Sequence, residues 1–160
     1  MTENLKLEKQ LCFKIYSISK SIVRIYGPLL NELELTYPQY ITMMILWEHK
    51  KLHFKEISSK LKMKTGTLTP ILNKLESNGY LEKIKDESDD RKIYIVITKK
   101  GLELQEKAKD IPIKITQELK LSEEDYKKYL IEFDELVRKF DCIEKYIKWL
   151  IVELFYETDL

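Results

Sequence analysis

The stretch TGTLTPILNKLESNGYLEKIKDESDDRKIYIVIT, at residues 65–98, decides how this chain folds. Its first part has apolar residues at the three-and-four spacing of one helical face, namely Leu68, Ile71, Leu72 and Leu75. Asn78-Gly79 then supplies the left-handed residue that commonly ends a helix. The last part, IYIVIT, alternates as a half-buried strand does, and the segment 80–84 is its matching partner. The stretch therefore predicts a helix followed by a two-stranded hairpin with a polar, projecting loop.

A shorter amphipathic helix is predicted just upstream, because Phe54, Ile57 and Leu61 share one helical face. Only a few residues separate it from the helix that begins near Thr65, which is the spacing of a helix-turn-helix motif. With the hairpin as a wing, the pattern is typical of an element that binds double-stranded DNA. The predicted fold class is mainly α with a small β-hairpin wing.

Charge is distributed unevenly along a chain whose overall formal charge is only +1. Residues 1–49 carry five basic and five acidic side chains, residues 50–100 carry 13 and seven, and residues 101–160 carry ten and 15. The predicted winged part is the positive segment, which suits duplex phosphates, whereas the C-terminal segment would repel them. A charge run alone usually marks a solvated surface, so it is the coincidence with the helix-turn-helix that favours DNA binding.

Long helices are predicted on both sides of this middle part. Before it, apolar residues repeat at helical spacing from about Leu7 to Leu33, and Gly27-Pro28 predicts a kink near Tyr26. After it, Ser122 and Asp125 form a predicted helix cap. An apolar seam follows, made of Tyr126, Leu130, Phe133, Val137, Phe140, Ile147, Ile151 and Leu154. So long a seam needs a second subunit to cover it, which predicts a homodimer; the alternative is that this helix folds back on its own domain.

Length and composition predict one domain, because 160 residues with 44% hydrophobic content can bury a sizeable core. We assign residues 36–100 to the winged helix-turn-helix, and residues 5–35 and 101–160 to dimerisation helices. The first ten residues contain no apolar leader segment, so we expect a cytoplasmic protein. Lys148 and Glu153 interrupt the last apolar stretch, so no membrane span is expected.

The segments LTYPQY, TGTLTPILNKLE and DDRKIYIVIT, which begin at residues 35, 65 and 89, resemble the MarR family of winged-helix repressors. The resemblance covers roughly residues 5–140, and the order and spacing of the motifs agree with the family. Within it, QLCFKIY at 10–16, followed by Tyr26 and Tyr37, is similar to the oxidant-sensing branch of OhrR, MgrA and SarZ. The resemblance implies a repressor that leaves its DNA site when it is oxidised by an organic hydroperoxide or a related oxidant. The twofold axis of the predicted dimer makes that site a pseudo-palindrome.

In that branch a cysteine of the first helix is the sensor, and tyrosines of the other subunit reach it. The resemblance therefore implies this sensing role for Cys12 and this contacting role for Tyr26 and Tyr37, with a small oxidant or a small thiol as the reaction partner. Tyr16 lies one helical turn after Cys12 and is a further candidate neighbour. An intracellular cysteine is more often a small buried hydrophobe, which is the competing interpretation of Cys12. Cys142 is a weaker candidate as a resolving partner across the dimer.

Roles in DNA binding follow from the predicted helix and wing. The start of the recognition helix is lined by Thr65, Thr67 and Thr69, whose hydroxyls can meet phosphates or base edges, and Lys74 lies further along, near enough for a phosphate. The resemblance implies that Arg91 enters the minor groove at the wing tip, with Asp89 placed to orient it. The chain departs from its relatives at Lys64 and Asn73, where they carry an aspartate and a lysine. The resemblance therefore does not predict which operator sequence this chain binds.

Other functions have less support in the sequence. A regulator of the same fold could instead respond to a phenolic or other small ligand in a dimer-interface pocket, with Cys12 structural. A thiol peroxidase using Cys12 would leave the helix-turn-helix and wing without a purpose. His49 and His53 lack a third ligand nearby, and the two cysteines are 130 positions apart, so we expect neither a metal nor a cofactor, and no enzyme activity.

Overall fold

The computed structural model describes residues 3–86, 89 and 92–156, and from residue 148 onward it describes the backbone only. The chain divides into two compact units, Met1–Ile115 and Thr116–Leu160.

Helices dominate both units. The described helices are α1 (Leu11–Asn31), α2 (Tyr37–His49), α3 (Phe54–Leu61), α4 (Thr65–Ser77), α5 (Lys99–Ala108), α6 (Ile111–Glu118) and α7 (Glu123–Tyr156). The first helix begins at Leu11 rather than near Leu7, because Leu7–Lys9 forms a separate 3-10 turn. Helix α1 then continues through Pro28 to its last residue, Asn31. The predicted fold class, mainly α with a small β-sheet as the wing, is confirmed.

The wing contains one strand more than the sequence predicted. Strands β2 (Leu81–Lys85) and β3 (Ile93–Ile97) pair antiparallel, with Leu81 opposite Ile97. Strand β1 (Lys51–His53) pairs with the other edge of β3, so the strand order is β1-β3-β2. Three residues are too few to show an alternating pattern, and for this reason β1 was not predicted.

The helix-turn-helix has the predicted spacing. Helices α3 and α4 are separated by three residues, the first of which, Lys62, takes a left-handed conformation with φ of 52°. Helix α4 ends as expected, since Gly79 has φ of +76° and its N–H bonds to the Glu76 carbonyl. The Tyr80 N–H bonds to the Leu75 carbonyl at 3.0 Å, which closes the last turn and leads the chain into β2.

The core of the first unit gathers the inner faces of these elements. Its fully buried side chains include Leu30, Met43, Leu46, Ile57, Leu68, Leu72, Leu75, Leu81 and Ile95. Trp47 is also buried, and its Nε1 donates to the Gly101 carbonyl at 2.8 Å. This bond joins α2 to the start of α5. Met44 is 43% exposed although Met43 is buried, because neighbouring residues of a helix point about 100° apart.

The second unit consists mainly of α7. The Asp125 N–H donates to the Ser122 hydroxyl at 3.0 Å, which confirms the predicted cap. The described residues of the predicted seam are exposed, namely Tyr126, Leu130, Phe133, Val137, Phe140 and Ile147. Within the described residues, no helix has the length and apolar character that crossing a membrane requires.

Gly101 provides a test of this packing. An added Cβ would lie 2.2 Å from the Tyr80 carbonyl oxygen, so we expect Gly101→Ala to destabilise the protein by about 2 kcal/mol or more. Gly66, which has nothing within 4 Å of an added Cβ, is the matched control. We expect Gly66→Ala to stabilise by about 0.5–1 kcal/mol, because alanine is the better helix former. Denaturant unfolding measures both changes in the free energy of unfolding. Equal stabilities of the Gly101→Ala and Gly66→Ala variants would contradict this packing.

Candidate functional site

Within the described residues, the start of α4 has no side-chain cap. Lys64 is the N-cap residue, and among the described residues its side chain makes no capping hydrogen bond. The Lys64 carbonyl accepts from the N–H groups of Thr67 and Leu68, both at 3.0 Å. A basic side chain at the positive end of a helix adds to the attraction for an anion there.

Thr65 and Thr69 lie one turn apart on α4 and face the wing. They line a cleft of about 690 Å³ whose other described walls come from α3 and the wing. The lining residues are His53, Phe54, Lys55, Glu56, Thr65, Thr69, Asp89, Lys92 and Ile93. Three of the predicted DNA-binding residues therefore share one cleft. Thr67 and Lys74 are exposed elsewhere on α4.

Two hydrogen bonds connect the described residues of the wing loop. The Asp89 carbonyl accepts from the Lys92 N–H at 2.8 Å, and the Asp89 N–H donates to the Asp86 carboxylate at 3.2 Å. The Asp89 carboxylate lies 3.9 Å from the Lys92 ammonium. Arg91 lies outside the described residues, so its predicted groove contact and its orientation by Asp89 stay predictions.

The missed strand β1 supports the same cleft. The His53 ring stacks on the Tyr94 ring with centroids 3.8 Å apart, and the Lys51 ammonium lies 4.0 Å from the Tyr94 centroid. Partial burial and the nearby Asp86 carboxylate raise the pKa of Tyr94. His53 also donates its backbone N–H to Glu56 at 2.7 Å, at the start of α3. These contacts hold the wing against the helix-turn-helix. Sequence reasoning missed them, and the only signal for them was the short spacing between Lys51 and His53.

Cys12 is the second residue of α1, and it is exposed in this chain. Tyr16 lies one turn further and is 58% exposed, with the Lys20 ammonium 5.4 Å from its ring centroid. In a single chain, Cys12 is therefore not the buried hydrophobe of the competing interpretation. The thiol and the phenol instead share one accessible helical face.

Tyr26 and Tyr37 belong to an aromatic cluster at the opposite end of α1. Their ring centroids are 5.0 Å apart in an edge-on arrangement, and the Tyr40 ring lies 5.8 Å from that of Tyr26. Burial raises the pKa of Tyr37 above that of an ordinary tyrosine. Tyr26 follows Cys12 by 14 residues of one helix, and the rise of 1.5 Å per residue separates them by about 21 Å. A single chain therefore does not bring Cys12 and Tyr26 together.

Cys142 lies in α7 of the second unit and is also exposed. Its suggested role as a resolving partner for Cys12 stays a prediction. Within the part of the chain that the structure describes, no three His, Cys, Asp or Glu side chains are grouped as metal ligands.

Comparison with known proteins gives consistent matches. Residues 24–108 match the family model described as transcriptional regulator SarA/Rot. The chain is 42% identical over 125 residues to the organic hydroperoxide resistance transcriptional regulator of Bacillus subtilis, covering 78% of this chain and 85% of that protein. It is 35% identical over 145 residues to the regulator SarZ of Staphylococcus epidermidis, covering 89% and 98%. The solved structure of reduced AbfR bound to DNA superposes with a TM-score of 0.70 at 31% identity, covering 87% and 98%.

The raised pKa of Tyr37 predicts a late-ionising phenol. Tyr37→Phe should remove one phenolate signal that develops at higher pH than in free tyrosine, because burial disfavours the charged form. The same pKa shift makes the native state lose stability as the pH rises past the ordinary tyrosine pKa, and Tyr37→Phe should weaken that loss. Ultraviolet absorbance titration of both proteins checks this. The control is the same two proteins in denaturant, where the phenol that Tyr37→Phe removes should titrate like an ordinary tyrosine. If that phenol titrated normally in the folded protein as well, the raised pKa of Tyr37 would be refuted.

Proposed function

This chain belongs to the MarR family of winged-helix transcriptional regulators, and we propose that it is a dimeric repressor that releases its operator DNA when Cys12 is oxidised. The observation that carries the proposal is the arrangement along α1. A reactive residue type is exposed at one end, and the rings of Tyr26 and Tyr37 are packed together at the other. The names of its relatives support this choice, since one is a regulator of organic hydroperoxide resistance and another has a reduced form bound to DNA.

DNA binding is the task of residues 36–100, which carry the positive charge. The outer face of α4 enters the major groove, where Thr65 and Thr69 meet base edges or phosphates from the side that faces the wing. Thr67 and Lys74 approach the phosphates from the opposite side. Arg91 at the wing tip reaches the minor groove, with Asp89 orienting it. The operator phosphates supply most of the affinity, so binding depends strongly on salt.

Dimerisation is the task of the segments 5–35 and 101–160. The described residues of the apolar seam of α7 are exposed in one chain, and a second copy covers the seam. A twofold axis then places two recognition helices about 34 Å apart, which is one turn of the duplex, so the operator is a pseudo-palindrome.

Sensing begins at the Cys12 sulfur. Its thiolate attacks the outer oxygen of an organic hydroperoxide, the O–O bond breaks, and the alkoxide formed takes up a proton to become an alcohol. The sulfur becomes a sulfenic acid, oxidised by two electrons. A small thiol can then condense with it to give a mixed disulfide and water. Tyrosine hydroxyls favour the thiolate because they donate hydrogen bonds to negative charge without closing access.

Release follows from where those hydroxyls come from. Tyr26 lies about 21 Å from Cys12 within one helix, so Tyr26 and the adjoining Tyr37 contact the thiolate from the second copy. Tyr16 contacts it from the same chain. A larger, uncharged sulfur product breaks these contacts, which cross the dimer interface. One subunit then shifts against the other, and the two recognition helices lose the spacing that the duplex requires.

Cys12→Ser separates this function from a ligand-responsive regulator. We expect the variant to bind DNA like the wild type and to stay bound after cumene hydroperoxide, because serine does not form a sulfenic acid. Cys142→Ser is the matched control and should still be released. Gel-shift titration measures both. If Cys12→Ser left the DNA as the wild type does, the sensor would lie elsewhere, and steady peroxide turnover with a thiol reductant would indicate an enzyme instead.

Lys74→Met tests the assigned phosphate contact. The variant should weaken binding evenly across operator sequences and reduce the salt dependence by about one charge per subunit, because a phosphate contact carries no base information. Affinities at several salt concentrations measure this slope. Lys114→Met, on an exposed face of α6, is the control and should leave the slope unchanged. A change confined to one base position would contradict a phosphate contact.

A further inference from the structure

Lys83 joins the wing to the recognition helix. It projects from β2, and its ammonium donates to the Asn73 side-chain carbonyl at 2.5 Å and to the Glu76 carboxylate at 2.6 Å. The Lys83 side chain is 24% exposed, so this link is partly screened from water. Neither the family resemblance nor the assigned phosphate contacts give this group of three side chains a task.

The contact fixes which way the Asn73 amide points. An ammonium group has donors only, so the amide atom beside it must be the carbonyl oxygen and not the nitrogen. The Asn73 NH2 group is therefore turned away from β2. Glu76 balances the charge of Lys83, which lets the lysine orient the amide without adding an unpaired charge at the helix surface.

Asn73 lies on the outer face of α4. Gly66, Pro70 and Asn73 are exposed and follow each other at the three-and-four spacing of one helical stripe. The opposite side of the helix is fully buried through Leu68, Leu72 and Leu75. A side chain on the outer stripe of a recognition helix faces base edges in the major groove.

We propose that Lys83 is a positioning residue that makes Asn73 a hydrogen-bond donor to guanine in the operator, an inference that rests on the proposed DNA-binding function. A free asparagine prefers adenine, because it donates to N7 and accepts from the N6 amino group at the same time. Here the carbonyl is engaged with the wing, so the amide presents donors. Guanine shows acceptors at both N7 and O6, whereas adenine places a donor beside its N7.

The test begins by selecting duplexes from a random-sequence library with the wild-type chain, which defines the preferred half-site. We expect one half-site position at which guanine is preferred to adenine by about tenfold. In Lys83→Met this preference should fall to about threefold or less, because the amide is free to turn. Lys85→Met, which removes the same charge two residues along β2, is the matched control and should keep the preference.

A double-mutant cycle shows whether Lys83 acts through Asn73. In an Asn73→Ala background, Lys83→Met should cause no further loss of preference at that position. Asn73→Asp is the second variant, since aspartate keeps the contact to Lys83 and therefore the fold, but has no donor for guanine. Asn73→Asp should also lose the preference for guanine, and this result does not depend on the stability of Lys83→Met.

The outcomes separate the two levels of the proposal. A wild-type chain that selects no sequence would overturn the DNA-binding function itself. A selected site whose base preferences are the same in Lys83→Met and Asn73→Asp would overturn the positioning role and leave the function standing. An even loss of affinity over all bases, matched by Lys85→Met, would mean that Lys83 only contributes charge, and would likewise overturn the inference.

Discussion

The length of α1 is the constraint on which the rest of the account depends. A continuous helix holds its residues at fixed separation, so Cys12 in the first turn and Tyr26 near the other end are about 21 Å apart. No rotamer change closes such a gap. If the phenols are to stabilise the thiolate, two copies of α1 must run past each other in opposite directions. The proposed sensing site is then shared by two subunits, and its chemistry acts directly on their relative position.

In the proposed dimer, the contacts within the DNA-binding part would carry such a shift to the recognition helix. The wing is tied to α3 by the stacking of His53 on Tyr94, to α4 by Lys83, and the Trp47 bond to Gly101 ties α2 to α5. Several independent contacts therefore hold the recognition helix to the rest of its unit. In the proposed dimer, a movement of one α1 against the other would therefore change the spacing between the two DNA-binding parts more readily than the shape of either one.

Much of this arrangement could be predicted from the sequence, because local patterns determine it. The spacing from Leu68 to Leu75 and the glycine at 79 give α4 its limits, and the structure agrees with both. The side chains that meet across separate elements could not be predicted. Lys83 meets Asn73 across the turn that links α4 to β2, β1 is too short to carry a pattern, and the Tyr26–Tyr37 contact joins two helices. The roles predicted for Cys12 and Arg91 rest on family resemblance, because spacing alone does not separate a sensor cysteine from a structural one.

Mixed dimers test the central claim most directly. One copy carries Cys12→Ser, and the other carries Tyr26→Phe with Tyr37→Phe. A site shared between subunits leaves one complete pair in this dimer, the thiol of the second copy with the phenols of the first. We expect that thiol to react with cumene hydroperoxide at the wild-type rate. A thiol that reacts as slowly as in a dimer with Tyr26→Phe and Tyr37→Phe in both copies would contradict the shared site.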